Sequence, residues 1–317
     1  MPSGDTTRRL LRSITALPLP AALCLATLCL ALCGCALSPL ARRTSSFATA
    51  AVAATSHTEL AYQLVEQTYR DAQIARLVAN YDDAGFDTAK LQPFLSPPDL
   101  KVRIDLLDGL RSYAELLAAV SGDQPLTDVD ASAKSLGVSL QSLSANDLVK
   151  ARFTSSDANL TTAAIGALGR ALIEHTRSRE LPGILRQMQQ PVETICTLLQ
   201  QDIGDPAQSG LRNELHISYL DLLREQKNYI ADNEGKLTPS ERREEIRLLP
   251  RLATSELNAD RALAATQKAL AQLARTHTAL AATAGQKDAP AFHLQMAQLA
   301  ASAQQLQSFY TPLPSRP

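Results

Sequence analysis

The residues able to do chemistry are thinly spread along this 317-residue chain. Five histidines stand at 57, 175, 216, 277 and 293. No two are three or four apart, so no single helix offers a histidine pair to zinc, and HExxH is absent. Of five cysteines, four crowd positions 24 to 35 and the fifth is Cys196. Ile195-Cys196-Thr197-Leu198-Leu199 places that thiol on an apolar helical stripe, where a buried structural role is expected rather than a nucleophile. Two carboxylate pairs, Asp82/Asp83 and Asp105/Asp108, have the composition of an acid and a base in one cleft. Solvated helix faces and ends account for such spacing far more readily. Gly204-Asp205-Pro206-Ala207-Gln208-Ser209-Gly210 lacks the lysine of a phosphate-binding loop and reads as an interhelical connection. No GxSxG elbow or Rossmann glycine pattern occurs. No catalytic residue, metal site or cofactor is therefore expected, and nothing marks the chain as an enzyme.

Composition narrows the partners further. With 31 basic and 32 acidic residues there is no electrostatic footprint for nucleic acid. Aromatic residues make up 4% of the chain and tryptophan is absent, which leaves few platforms for stacking bases. Abundant Ala, Leu and Gln with 13 Gly indicate helices.

The amino terminus carries the most specific signal. Arg8, Arg9 and Arg12 precede an uncharged, Leu- and Ala-rich stretch from Ser13 to Leu40, the pattern of an export signal or a membrane anchor. Leu32-Cys33-Gly34-Cys35 at its end resembles the lipobox of bacterial lipoproteins. The resemblance implies cleavage between Gly34 and Cys35 and acylation of Cys35. It also implies a mature protein tied to a bilayer by more than one acyl chain, as durable anchoring requires. Ala36 stands where enterobacterial lipoproteins retained at the inner membrane carry Asp, which favours the outer membrane, facing the periplasm, over the inner membrane. The alternative reading is an uncleaved transmembrane helix, since the stretch exceeds the roughly 18–20 residues that span a bilayer. Loss of Arg8, Arg9, Arg12 and Asp5 with the signal leaves the mature chain slightly acidic.

The elements that would position any site are helical throughout. The expected architecture is all-α: an elongated bundle with a signal peptide over 1–34, a flexible tether over 35–56 and a helical domain over 57–317. The small, polar run from Ser38 to Ser56 shows no convincing apolar period and reads as the tether. A first helix is predicted from about Ser56 or Thr58 to Asp82. A Pro-rich connector, with Asp99 as the N-cap of the next helix, leads to a second from Leu100 to Val120. Further helices are predicted over 127–143 and after Asp157. A break is predicted at Leu181-Pro182, with a bend at Pro191.

The last third, 211–310, is predicted to form long hairpin-like helices. Thr238-Pro239-Ser240-Glu241 is a capping box with proline at the first helical position. A heptad register runs through Leu249, Glu256, Leu263, Leu270, His277 and Ala284 on one seam and Leu252, Ala259, Thr266, Leu273 and Leu280 on the other. Gly285 to Asp288 then turns the chain into a final helix with Phe292, Leu299 and Leu306 inward. Without a catalytic motif, these observations point to an envelope protein that binds a protein partner, or itself, through its C-terminal helices. A binder of small amphiphiles and an enzyme with an unrecognised site are the alternatives.

Overall fold

A computed structural model describes residues 38–79, 87–121 and 177–310. Among these residues there are seven α-helices, one short 3-10 turn and no strand. The helices are α1 (Pro39–Ala79), α2 (Pro97–Ser121), α3 (Arg177–Gln187), α4 (Gln189–Ile203), α5 (Leu211–Asp232), α6 (Pro239–Ala282) and α7 (Pro290–Tyr310). The protein is all-α, in line with its composition. The helices predicted over 127–143 and after Asp157 lie outside the described residues.

The main correction concerns the predicted tether. Residues from Pro39 to Ser56 form the first half of α1 rather than a flexible link. Ala41, Thr44, Ala48, Ala51, Thr55 and Thr58 repeat at steps of three and four, and all are buried. Phe47 lies on a neighbouring face and is 1% exposed. The period is a coiled-coil one written in Ala and Thr. The threonines tolerate burial because each hydroxyl donates to a carbonyl one turn back: Thr44 to Leu40 at 2.8 Å, Thr55 to Ala51 at 3.0 Å and Thr58 to Ala54 at 2.8 Å. α1 thereby becomes the central helix, packed against α2, α5, α6 and α7.

Local signals explain the other boundaries. α2 starts at Pro97, so the N-cap is Ser96 and not Asp99. Asp99 N–H donates to Ser96 Oγ at 3.3 Å while the Ser96 hydroxyl donates to Asp99 Oδ2 at 2.6 Å. A carboxylate three residues past the cap completes the reciprocal pair. Pro182 does not break the chain either, since α3 runs through it. The interruption falls at Met188, because Pro191 has no N–H to offer the carbonyl of Gln187. Leu181, Ile184 and Leu185 hold α3 to the core.

The C-terminal elements follow the predicted pattern. Thr238 Oγ1 accepts from Glu241 N–H at 3.3 Å and the Glu241 carboxylate accepts from Thr238 N–H at 2.8 Å. α6 then continues for 44 residues, about 66 Å at 1.5 Å per residue. Its heptad seams are buried from Ala259 to Leu280. The first half of α6 lies antiparallel to α5, with Arg212 paired to Asp260 at 2.7 Å and Gln226 donating to Glu245 at 2.8 Å. Its second half lies antiparallel to α7, where Gln272 donates to the Gln295 carbonyl at 3.1 Å and the Thr266 and Tyr310 hydroxyls meet at 3.1 Å.

Candidate functional site

Among the described residues, two polar clusters and one large cleft stand out. The first is interior. His277 on α6 is fully buried where α1, α2 and α6 meet, and its Nε2 lies 2.8 Å from the Tyr113 hydroxyl. Phe47 packs against the imidazole with ring centroids 5.5 Å apart. Burial pushes the His277 pKa down to about 3 and holds the Tyr113 phenol well above its usual value. His277 Nδ1 is buried and has no hydrogen-bond partner among the described residues. Neither group can exchange protons near neutrality, so the pair is a structural contact, in keeping with the core position read from the heptad.

A second cluster ties three helices. Arg103 on α2 makes a two-pronged ion pair with Asp202 on α4: Nε donates to Oδ2 at 2.7 Å, and Nη2 to Oδ1. Tyr62 on α1 also donates to Asp202 Oδ2, at 2.7 Å. Fork-shaped pairing of this kind fixes orientation as well as energy. Both oxygens of the carboxylate are engaged, which suits a clamp between helices.

The third place is a cleft of about 690 Å³ between the C-terminal end of α1, the second half of α5 and the first half of α6. Ala75, Val78, Leu222, Leu248 and Leu252 give it an apolar floor, while Glu225, Asp232, Lys236 and Arg251 supply a charged rim. Val78 is 58% exposed and Tyr229 46%. The cleft lies where the heptad seam of α6 thins: Leu249 and Leu252 are only half-buried, and Ile246 is exposed. An apolar floor with a mixed rim suits an amphipathic ligand or protein segment. The sequence held a sign of this, since Leu248, Leu249 and Leu252 precede the part of α6 that carries small core residues.

The other residues singled out from sequence are scattered. Cys196 is fully buried and burial pushes its thiol up to about 12, which removes it as a nucleophile. Asp105 pairs with Lys101 at 2.6 Å and Asp108 with Arg111 at 2.7 Å, so the two acids serve separate partners on the α2 surface. His216 meets Glu256 at 2.6 Å on the outside of the α5–α6 pair. The segment from Gly204 to Gly210 is a tight interhelical loop, closed by Asp205 N–H donating to the Ser209 carbonyl at 3.0 Å. Gly34, Cys35, Asp82, Asp83 and His175 lie outside the described residues. Among the described residues no group of three or more His, Cys, Asp or Glu is placed to hold a metal ion. No described helix is long and apolar enough to cross a membrane.

Comparison with protein families, with curated proteins and with solved structures finds no match to this chain.

Proposed function

We propose that this chain is a lipid-anchored helical protein of the bacterial envelope, tied to a bilayer through acylated Cys35 and binding a protein partner through its helical bundle. The observation that supports this reading above all is Leu32-Cys33-Gly34-Cys35, which closes a long uncharged stretch behind three arginines and immediately precedes a packed domain. Ala36 after the lipid-bearing position favours the outer membrane, with the bundle facing the periplasm. The partner surface is the α1–α5–α6 cleft, where exposed Val78 and Tyr229 stand beside a charged rim. Interfaces of regulated partners combine such an apolar centre with a polar border.

The test is an intact mass of the protein from the membrane fraction of expressing cells, for wild type and Cys35→Ala. A chain beginning at Cys35 and carrying acyl chains, lost in the variant, is the expected result. An unmodified full-length mass would replace the lipid anchor with a transmembrane one and remove the outer-membrane assignment. A photocrosslinker at Val78 or Tyr229 then reports the partner, with Ser302 on α7 as the control position.

The volume of the cleft favours a second reading, a small amphiphile held over Leu222 and Leu252. Mass spectrometry of an organic extract of the purified protein tests it. A stoichiometric small molecule supports this reading, and an empty extract counts against it.

A further inference from the structure

We propose that the end of the bundle formed by the first turn of α1 and the α6–α7 turn faces the bilayer end-on, its basic side chains against anionic lipid headgroups. The proposal rests on the lipidation of Cys35. Three residues separate Cys35 from Pro39, the first residue of α1. Fully extended, that link spans no more than about 14 Å.

The first turn of α1 is itself fastened to the rest of the domain. Arg43 is buried and donates from Nη1 to the Thr283 carbonyl at 3.0 Å, from Nη2 to the Gln286 carbonyl at 2.7 Å and from Nε to the Pro39 carbonyl at 3.1 Å. The Thr283 and Gln286 carbonyls close α6 and its turn, where a guanidinium complements the negative end of the helix dipole. An anchored Cys35 therefore holds the whole α1–α6–α7 end, not a loose arm.

The chemistry of that end fits a headgroup surface. Arg42 and Lys287 are exposed there, and the acid at the same end, Asp288, is close enough to act on the buried Arg43. Exposed cations near an anionic leaflet are attracted within a Debye length. The flanks offer a bilayer much less. Residues 44–58 of α1 and all of α7 contain no Lys, Arg, Asp or Glu, and their exposed positions are mainly Ser, Thr, Ala and Gln. A helix lying flat in the interface needs bulky apolar residues bordered by Lys or Arg. Such a face is missing here, so the end-on arrangement is favoured. α1 has 41 residues, which places the cleft at its far end roughly 50–60 Å from the headgroups.

Two glycines make the test direct. A side chain at Gly285, in the α6–α7 turn, or at Gly235, in the α5–α6 loop, would meet nothing within 4 Å. Gly285→Cys and Gly235→Cys versions of the full, processed protein are labelled with a fluorophore, since Cys196 is buried and Cys35 carries lipid. They are then reconstituted in phosphatidylcholine–phosphatidylglycerol vesicles containing a headgroup spin-labelled lipid. Intact mass first establishes the acyl chains on Cys35. The expected result is loss of most emission at position 285 with emission at 235 retained. With acylation present, equal quenching at both positions, or at neither, overturns the orientation while leaving the anchor. Absence of the acyl mass overturns both.

Discussion

The Tyr113 hydroxyl and Nε2 of His277 meet at 2.8 Å in a fully buried contact between α2 and α6, with Phe47 of α1 against the same imidazole. One histidine thus joins three helices, and it stands 164 residues from its tyrosine partner in sequence. Its neutrality is imposed by burial, and neutrality at that point makes the fold sensitive to acid.

In the folded protein His277 takes a proton only near pH 3, whereas in the unfolded chain it does so near 6.5. Stability from this group is complete above about pH 7.5 and declines as the pH falls through 6.5 toward 3. At pH 5.5 the loss is on the order of 1 kcal/mol. Denaturant unfolding at pH 7.5 and 5.5 should show that loss in wild type and not in His277→Leu. Equal pH dependence in the two proteins would refute the assignment.

Asp202 receives Arg103 and Tyr62 together, so its removal strands two partners. Asp202→Ala should destabilise by about 3 kcal/mol, because the guanidinium is left without its counter-charge in a half-dry site. Tyr62→Phe removes one hydrogen bond and should cost about 1 kcal/mol. Denaturation midpoints at constant m-value provide the measurement. A smaller loss for Asp202→Ala than for Tyr62→Phe would mean that the clamp is not formed.

Phe47 separates a packed α1 from a flexible tether. In a tether Phe47→Ala would change nothing; in the core it should cost about 3–5 kcal/mol. Arg43→Ala should act differently, raising amide exchange over residues 39–55 with a cost of about 1.5–3 kcal/mol. Hydrogen exchange of the processed protein in detergent distinguishes the two effects, and rapid exchange over 39–55 in the parent would dispose of both.

Gly204 adopts φ +71°, and a Cβ there would stand 2.0 Å from the Ser209 carbonyl oxygen. Gly204→Ala should therefore destabilise by about 3 kcal/mol or more, combining a left-handed backbone with a clash against backbone. Gly235→Ala, which meets open space, serves as the control and should change stability by less than about 0.5 kcal/mol. Similar melting temperatures for the two variants would show that the 204–210 loop is not closed as described.

The all-α class, the capping box at Thr238, the buried seam from Ala259 to Leu280 and the turn at Gly285 were legible in the sequence. Each depends on neighbours along the chain: a hydroxyl and a carboxylate three apart, or apolar residues at a helical period. The first half of α1 was not legible in that way. Its seam is written in Ala and Thr, residues equally at home in a linker, and their burial depends on α2, α6 and α7 arriving from elsewhere in the chain. Residues brought together from distant helices were hidden for the same reason. No spacing joins Tyr113 to His277, Asp202 to Arg103 and Tyr62, or Val78 to Leu222 and Leu252. The motif at Cys35 is the reverse case, a local chemical signal that owes nothing to the fold. The sequence alone determined the all-α class, the C-terminal helices and the candidate anchor motif. Tertiary packing decided which small residues are core, where Arg43 fastens the first turn and where the cleft opens, because long-range burial selects among faces that local periodicity leaves equivalent.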